Sequence, residues 1–163
     1  MKIRTSLKPL AFAAAALLPV AAWPATATTT MAVTTTVLNS CIVVALPLAF
    51  GNYDPTSATD TAGTTTVSVT CTSGVPYDVG LDKGTNGASV TTRKMISGGN
   101  LLPYALYRDS SHTLNWGTTI GTDVSHGVSL GVLQAVTVYG LIPKNATVPS
   151  GAYTDTVNVT VTY

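Results

Sequence analysis

The chain has 163 residues, of which only 9 % are charged, with eight Lys and Arg against seven acidic residues, all of them aspartate. Its cations are scattered, so nothing concentrates enough positive charge to attract a polyanion, and nucleic-acid binding is excluded on electrostatic grounds. Thr, Val, Ala and Gly dominate while Glu, Lys and Gln are scarce, a balance that favours strands and turns over helices.

The N-terminus reads first as an export signal. Lys2, Arg4 and Lys8 form a basic region, an uncharged apolar run follows from Leu10 to Ala22, and Pro24-Ala25-Thr26-Ala27 supplies small residues for cleavage. The apolar run is too short to span a bilayer and contains Pro19. We place a signal peptide over residues 1–27, cleaved after Ala27, with Ala25 and an uncleaved anchor as the alternatives. Its removal leaves about 136 residues, enough for one hydrophobic core. Lys83, Arg93, Lys94, Arg108 and Lys144 then stand against the seven aspartates, and the mature chain is slightly acidic.

Residues 28–38 alternate as an extended strand. Thr29, Met31, Val33, Thr35 and Val37 share the more apolar face, and Thr30, Ala32, Thr34, Thr36 and Leu38 share the other. A second run spans residues 41–50, where Pro47 demotes the later part to an edge or a bend. Gly51-Asn52-Tyr53-Asp54-Pro55 is a turn cluster. Residues 64–72 alternate around Val67, Val69 and Cys71, and Tyr77, Val79 and Leu81 alternate after the Ser73-Gly74-Val75-Pro76 turn. Arg93-Lys94-Met95 leads into a turn at Gly98-Gly99-Asn100, and residues 102–107 read as a strand. Trp116 anchors a short piece, and residues 118–131 lack pattern and read as loop. Residues 133–142 form a further strand and residues 143–151 a loop. Tyr153, Asp155, Val157, Val159, Val161 and Tyr163 alternate to the end of the sequence. Seven or eight short strands with frequent turns fit an all-β, Greek-key sandwich.

Cys41 and Cys71 are the only cysteines. In an exported chain an even pair favours a disulfide, and closing such a loop restricts the unfolded chain by about 3–4 kcal/mol. A thiol nucleophile or a metal site is the alternative, but His112 and His126 lie far away in polar stretches. No catalytic set is legible: no Gly-x-Ser-x-Gly, no phosphate-binding loop and no plausible Ser-His-Asp arrangement. Asp54 and Asp60 read as turn and surface residues, Asp78 and Asp82 as the wet face of a strand, and His112 as a surface loop residue. We therefore expect no enzyme, no cofactor, no metal and no membrane insertion.

The two ends complement each other. A spare strand precedes the first cysteine, and an apolar strand closes the sequence with an edge that a lone sandwich leaves unmet. Pairing the two between molecules is donor-strand complementation, and because the contact is head to tail it builds a filament. Burying Met31, Val33 and Val37 in this way contributes about 5–8 kcal/mol. The simpler alternative is that residues 28–38 form the first strand of their own sheet.

Four segments favour the first of these readings. They are Leu38-Asn39-Ser40-Cys41 with Pro47-Leu48-Ala49-Phe50-Gly51-Asn52-Tyr53; Val69-Thr70-Cys71-Thr72-Ser73-Gly74 with Tyr77-Asp78-Val79-Gly80-Leu81-Asp82; Leu102-Pro103-Tyr104-Ala105-Leu106-Tyr107 with Asn115-Trp116-Gly117; and Val138-Tyr139-Gly140-Leu141-Ile142-Pro143 with the residues from Val148 to Val157. In this order they resemble the spore coat protein U domain family, which includes pilin subunits of archaic chaperone–usher pili. The resemblance runs from about Met31 to Tyr163. It implies an incomplete immunoglobulin-like sandwich over residues 39–163, completed first by a periplasmic chaperone and then, at the outer-membrane usher, by the next subunit. It implies that Cys41 and Cys71 are the family's disulfide pair and that residues 28–38 are the donor strand. Val157, Val159, Val161 and Tyr163 would then edge the acceptor groove. The expected product is a surface pilus, a homo-polymer or hetero-polymer serving adhesion or biofilm formation. A single domain suggests a shaft or adaptor subunit, and a secreted coat protein or a monomeric binding module is the other reading.

Overall fold

The computed structural model describes residues 23–163, so the expected leader lies outside the described residues except for its last five positions. Residues 36–163 form one compact unit, and the residues before them fall outside it. Eight strands follow in chain order: β1 (Cys41–Ala45), β2 (Thr61–Cys71), β3 (Pro76–Leu81), β4 (Arg93–Ser97), β5 (Asn100–Tyr107), β6 (Ser125–Val128), β7 (Gln134–Ile142) and β8 (Val159–Thr162). They make two sheets, a larger one ordered β1-β2-β7-β5-β4 and a smaller one ordered β6-β3-β8. Every ladder is antiparallel. This is the incomplete immunoglobulin-like sandwich that the sequence leads one to expect.

The alternation of the sequence becomes the two faces of each sheet. Val67, Val69 and Cys71 of β2 point inward with Val138 and Ile142 of β7, and they meet Tyr77, Val79 and Leu81 of β3 in one core. The Cys41–Cys71 disulfide joins two residues already opposite each other in the β1–β2 ladder, which ties the edge strand to its neighbour. Pro47 does end β1, since a proline cannot continue the ladder. Gly98 and Gly99 both take positive φ, 52° and 88°, as a two-residue hairpin between β4 and β5 requires.

Two buried side chains bind the layers together. Trp116 is fully buried and its indole Nε1 donates to the Val79 carbonyl at 2.8 Å. Arg93 is also fully buried, and its guanidinium donates only to main-chain carbonyls: Asp82 (2.8 Å), Val90 (2.7 Å), Leu81 (2.8 Å) and Trp116 (2.6 Å). Burial pulls the Arg93 pKa down, opposed by the nearby Tyr104 and by Asp82, Asp123 and Asp155.

The structure departs from the sequence reading at three places. Residues 28–38 alternate but form no strand among the described residues; Met31, Val33 and Val37 are 83 %, 82 % and 76 % exposed. β6 lies inside the stretch read as loop: Ser-His-Gly-Val has no apolar alternation, and it is a strand because β3 offers it an edge. The alternating C-terminal run hydrogen-bonds as a strand only over Val159–Thr162. Upstream of that, residues 153, 155 and 157 keep the inward, half-buried periodicity, and Thr154 bridges Ile96 of β4 through two main-chain hydrogen bonds of 2.9 and 3.1 Å.

Candidate functional site

β1 pairs only with β2, and β8 pairs only with β3, so among the described residues each presents one free edge. Between them the sandwich is open. After β1 the chain leaves the large sheet and crosses its inner face. Leu48 and Phe50 lie over Gly63 of β2 and Gly140 of β7, two glycines opposite each other in the ladder. This crossing segment forms one wall of a trough, and the run from Val148 to Val159 forms the other.

The trough consists of two adjoining cavities, about 380 Å³ and about 780 Å³, that share Leu48, Phe50, Met95 and Tyr153 in their walls. Its floor is the core itself: Val67, Leu81, Leu106 and Val138, each buried elsewhere on its surface, line the smaller cavity. The walls are half-buried apolar side chains, among them Leu48, Phe50, Tyr53, Val148, Tyr153, Val157 and Val159. A core with one side covered by half-buried residues and a cleft is a core lacking one element, and the dimensions suit an extended strand that drives alternate apolar side chains inward.

Polar anchors hold the far wall in place. Asp82 at the end of β3 accepts from the Asn158 main-chain N–H (2.9 Å) and its side-chain Nδ2 (2.7 Å). Burial alone would raise the Asp82 carboxyl, but hydrogen bonds from Gly84 and Asn158 and the Arg93 charge outweigh it and hold the group below the usual carboxylate range. Asp155 faces inward beside Val157. Its Oδ1 accepts from Thr85 N (3.0 Å) and Asn86 Nδ2 (3.1 Å), and its Oδ2 accepts from the Tyr104 hydroxyl (2.6 Å). Burial, together with that hydrogen bond and the Asp155 charge, pushes the Tyr104 phenol far above its ordinary value. The sequence reading missed this set. Asp82 read as a wetted strand residue, and no local pattern tells that residues 70 positions apart meet.

The residues expected at the groove edge are found at the following places. Val157 and Val159 line the trough, Val161 is half-buried against the core on the same face, and Tyr163 is exposed. The residues weighed for catalysis are each engaged in a different local contact. Asp54 accepts from Thr56 in a turn, Asp60 accepts from Lys144 N, and His112 packs edge-on against Tyr107 and Tyr139. Among the described residues no three His, Cys, Asp or Glu side chains gather as a metal site would need, and the two cysteines are bonded to each other.

An immunoglobulin-like sandwich with an apolar trough where a strand belongs defines a strand-acceptor domain. The model of the Spore Coat Protein U domain matches residues 27–160, and the chain belongs to that family. Protein U of Myxococcus xanthus is 36 % identical over 128 residues, covering 71 % of each chain. Among solved structures the fold matches the complex of CsuC and CsuE, a chaperone–tip adhesion subunit pre-assembly complex from the archaic chaperone–usher Csu pili of Acinetobacter baumannii. The TM-score is 0.59 at 24 % identity, covering 78 % of this chain and 40 % of that one, so this chain spans about two fifths of that chain's length.

Proposed function

We propose that this chain is a non-enzymatic structural subunit of a surface pilus, assembled by donor-strand exchange. The single observation that carries the reading is the trough: a core left open along one side, between the free edges of β1 and β8, with a floor of Val67, Leu81, Leu106 and Val138. The fold likeness to a pre-assembly complex of an archaic chaperone–usher system supports it. In this reading the leader, residues 1–27, directs export. A periplasmic chaperone covers the trough until the outer-membrane usher hands the subunit to its neighbour. Residues 28–38 of one copy, with Thr29, Met31, Val33, Thr35 and Val37 inward, fill the trough of the next. Val157, Val159, Val161 and Tyr163 form its edge. The fibre, alone or mixed with other pilins, supports adhesion or biofilm formation.

Deleting residues 28–38 tests the reading. The truncated chain should still bind a chaperone but stop fibre growth, and long fibres from it would end the proposal. The family's name favours a second reading, in which the same exchange builds a coat layer. Cell fractionation separates the two, by placing the polymer on pili sheared from the surface or in a cell-enclosing layer.

A further inference from the structure

The smaller of the two cavities is mostly apolar. Tyr104 and Asp155 both line the smaller cavity, and their side chains meet there. Of the other polar residues in its lining, Thr65 donates its hydroxyl to the Leu46 carbonyl, and Thr154 and Thr156 occupy the exposed positions of the alternating run. Asp155 Oδ1 receives two hydrogen bonds, but Oδ2 receives only the one from Tyr104, whose hydroxyl proton is thereby used. A carboxylate oxygen and a phenol oxygen each have further lone pairs. Among the described residues this pair therefore keeps acceptor capacity inside the trough. Any strand that fills the trough removes water from it, and an apolar side chain over it leaves those acceptors buried and unmatched.

The segment proposed to fill the trough contains an answering group. Its inward face reads Thr29, Met31, Val33, Thr35, Val37, so two hydroxyls interrupt an apolar series. The facing wall reads Tyr153, Asp155, Val157, Val159, Val161. Antiparallel to β8, with Thr35 level with Asp155, Val33 falls beside Val157 and Met31 beside Val159. Val37 then enters the larger cavity beside Tyr153, and Thr29 lies past Val159, where the trough lining ends. A parallel strand can also set Thr35 level with Asp155, with Val33 beside Tyr153 and Val37 beside Val157, but no inward residue of the segment then reaches Val159. A parallel strand with Thr29 at Asp155 would carry Thr35 and Val37 beyond Val159 and leave the larger cavity, from Val148 to Tyr153, uncovered.

Resting on the donor-strand reading above, we infer that the Tyr104–Asp155 pair is a register mark in the trough, and that Thr35 of a second copy supplies the hydroxyl it takes. Thr35 is a positioning residue for assembly: its hydrogen bond makes one alignment of a repetitive Thr/Val strand better than those two residues away.

The test uses fibres of the full mature chain and follows the rate at which subunits leave them in denaturing detergent. Thr35→Val removes the hydroxyl at nearly constant shape and should speed release about tenfold or more. Thr35→Ser should restore the wild-type rate, and Thr29→Val should stay within about twofold of it. In a Tyr104→Phe background the effect of Thr35→Val should shrink. Wild-type release from Thr35→Val, or a larger effect from Thr29→Val, overturns the register while leaving donor-strand assembly standing. If the wild-type chain forms no fibres at all, the functional reading fails and the inference fails with it. Should Tyr104→Phe not fold, the comparison of Thr35→Val, Thr35→Ser and Thr29→Val decides by itself.

Discussion

Gly63 and Gly140 face each other across the β2–β7 ladder, and the bare backbone they leave is where Leu48 and Phe50 cross the large sheet. A Cβ at Gly140 would stand 2.6 Å from Leu48 Cδ2 and 2.8 Å from Phe50 Cζ, and one at Gly63 would stand 3.1 Å from the Ala49 carbonyl oxygen. The pair sets how close the crossing segment lies to the sheet, and so how wide the trough is. Gly140→Ala should force Leu48 and Phe50 outward and lower stability by about 1–3 kcal/mol. Thermal melting of the chaperone-bound subunit would register the loss, together with slower fibre growth; Gly63→Ala should do less.

Val33→Asp tests the donor face. A carboxylate driven into an apolar trough is strongly disfavoured, so the variant should fold with its chaperone yet fail to join fibres as a donor. Electron microscopy and the polymer ladder on gels read this directly, and normal fibres from Val33→Asp would show that residue 33 does not point inward.

Arg93 donates to four carbonyl groups, of which those of Leu81 and Trp116 are buried away from water and those of Asp82 and Val90 partly so. Arg93→Met fills much of the volume but leaves the carbonyls of Leu81, Asp82, Val90 and Trp116 without that donor. We expect a loss of about 3–5 kcal/mol in denaturant unfolding, since hydrogen bonds to a charged group each contribute more than neutral ones. Arg93→Lys should recover only part of it, because an ammonium cannot span the same fork.

The pH response should come from both limits. The Tyr104 phenol has a folded pKa raised above its ordinary value of 10.0. Its contribution is fully present below that value and is lost as the pH rises beyond it, so stability should decline above about pH 10. Tyr104→Phe should flatten that decline. Asp82 behaves oppositely: its folded pKa is depressed from 3.8, so its contribution is present above that value and lost as the pH falls below it. Melting temperature against pH, for the wild type and for Asp82→Asn, checks the sign of both.

Removing the disulfide with Cys41→Ser and Cys71→Ser should lower stability by about 2–5 kcal/mol. Because the bond ties edge strand β1 to β2, hydrogen exchange should rise first in residues 41–45.

Much of this fold is legible in the sequence because the signals are local. Period-two alternation marks β2, β3, β5 and β7, Pro47 ends β1, and the Gly98-Gly99 turn joins β4 to β5. The remainder depends on partners distant in sequence. Ser125–Val128 is a strand through pairing alone, and Arg93 gives no sign in its neighbours that it is buried among carbonyls. Asp155 sits in an apolar alternation as an unexplained charge until Tyr104, Thr85 and Asn86 are seen around it. Residues 28–38 show the opposite: their pattern is plain, but they form no strand among the described residues.

The most direct measurement is light scattering coupled to size exclusion on the mature protein, once alone and once co-expressed with a periplasmic chaperone of an archaic chaperone–usher system. Donor-strand assembly predicts a one-to-one complex that converts to long polymers when the chaperone is withheld. A lone, stable monomer that never polymerises would contradict it and leave a secreted binding module as the better reading.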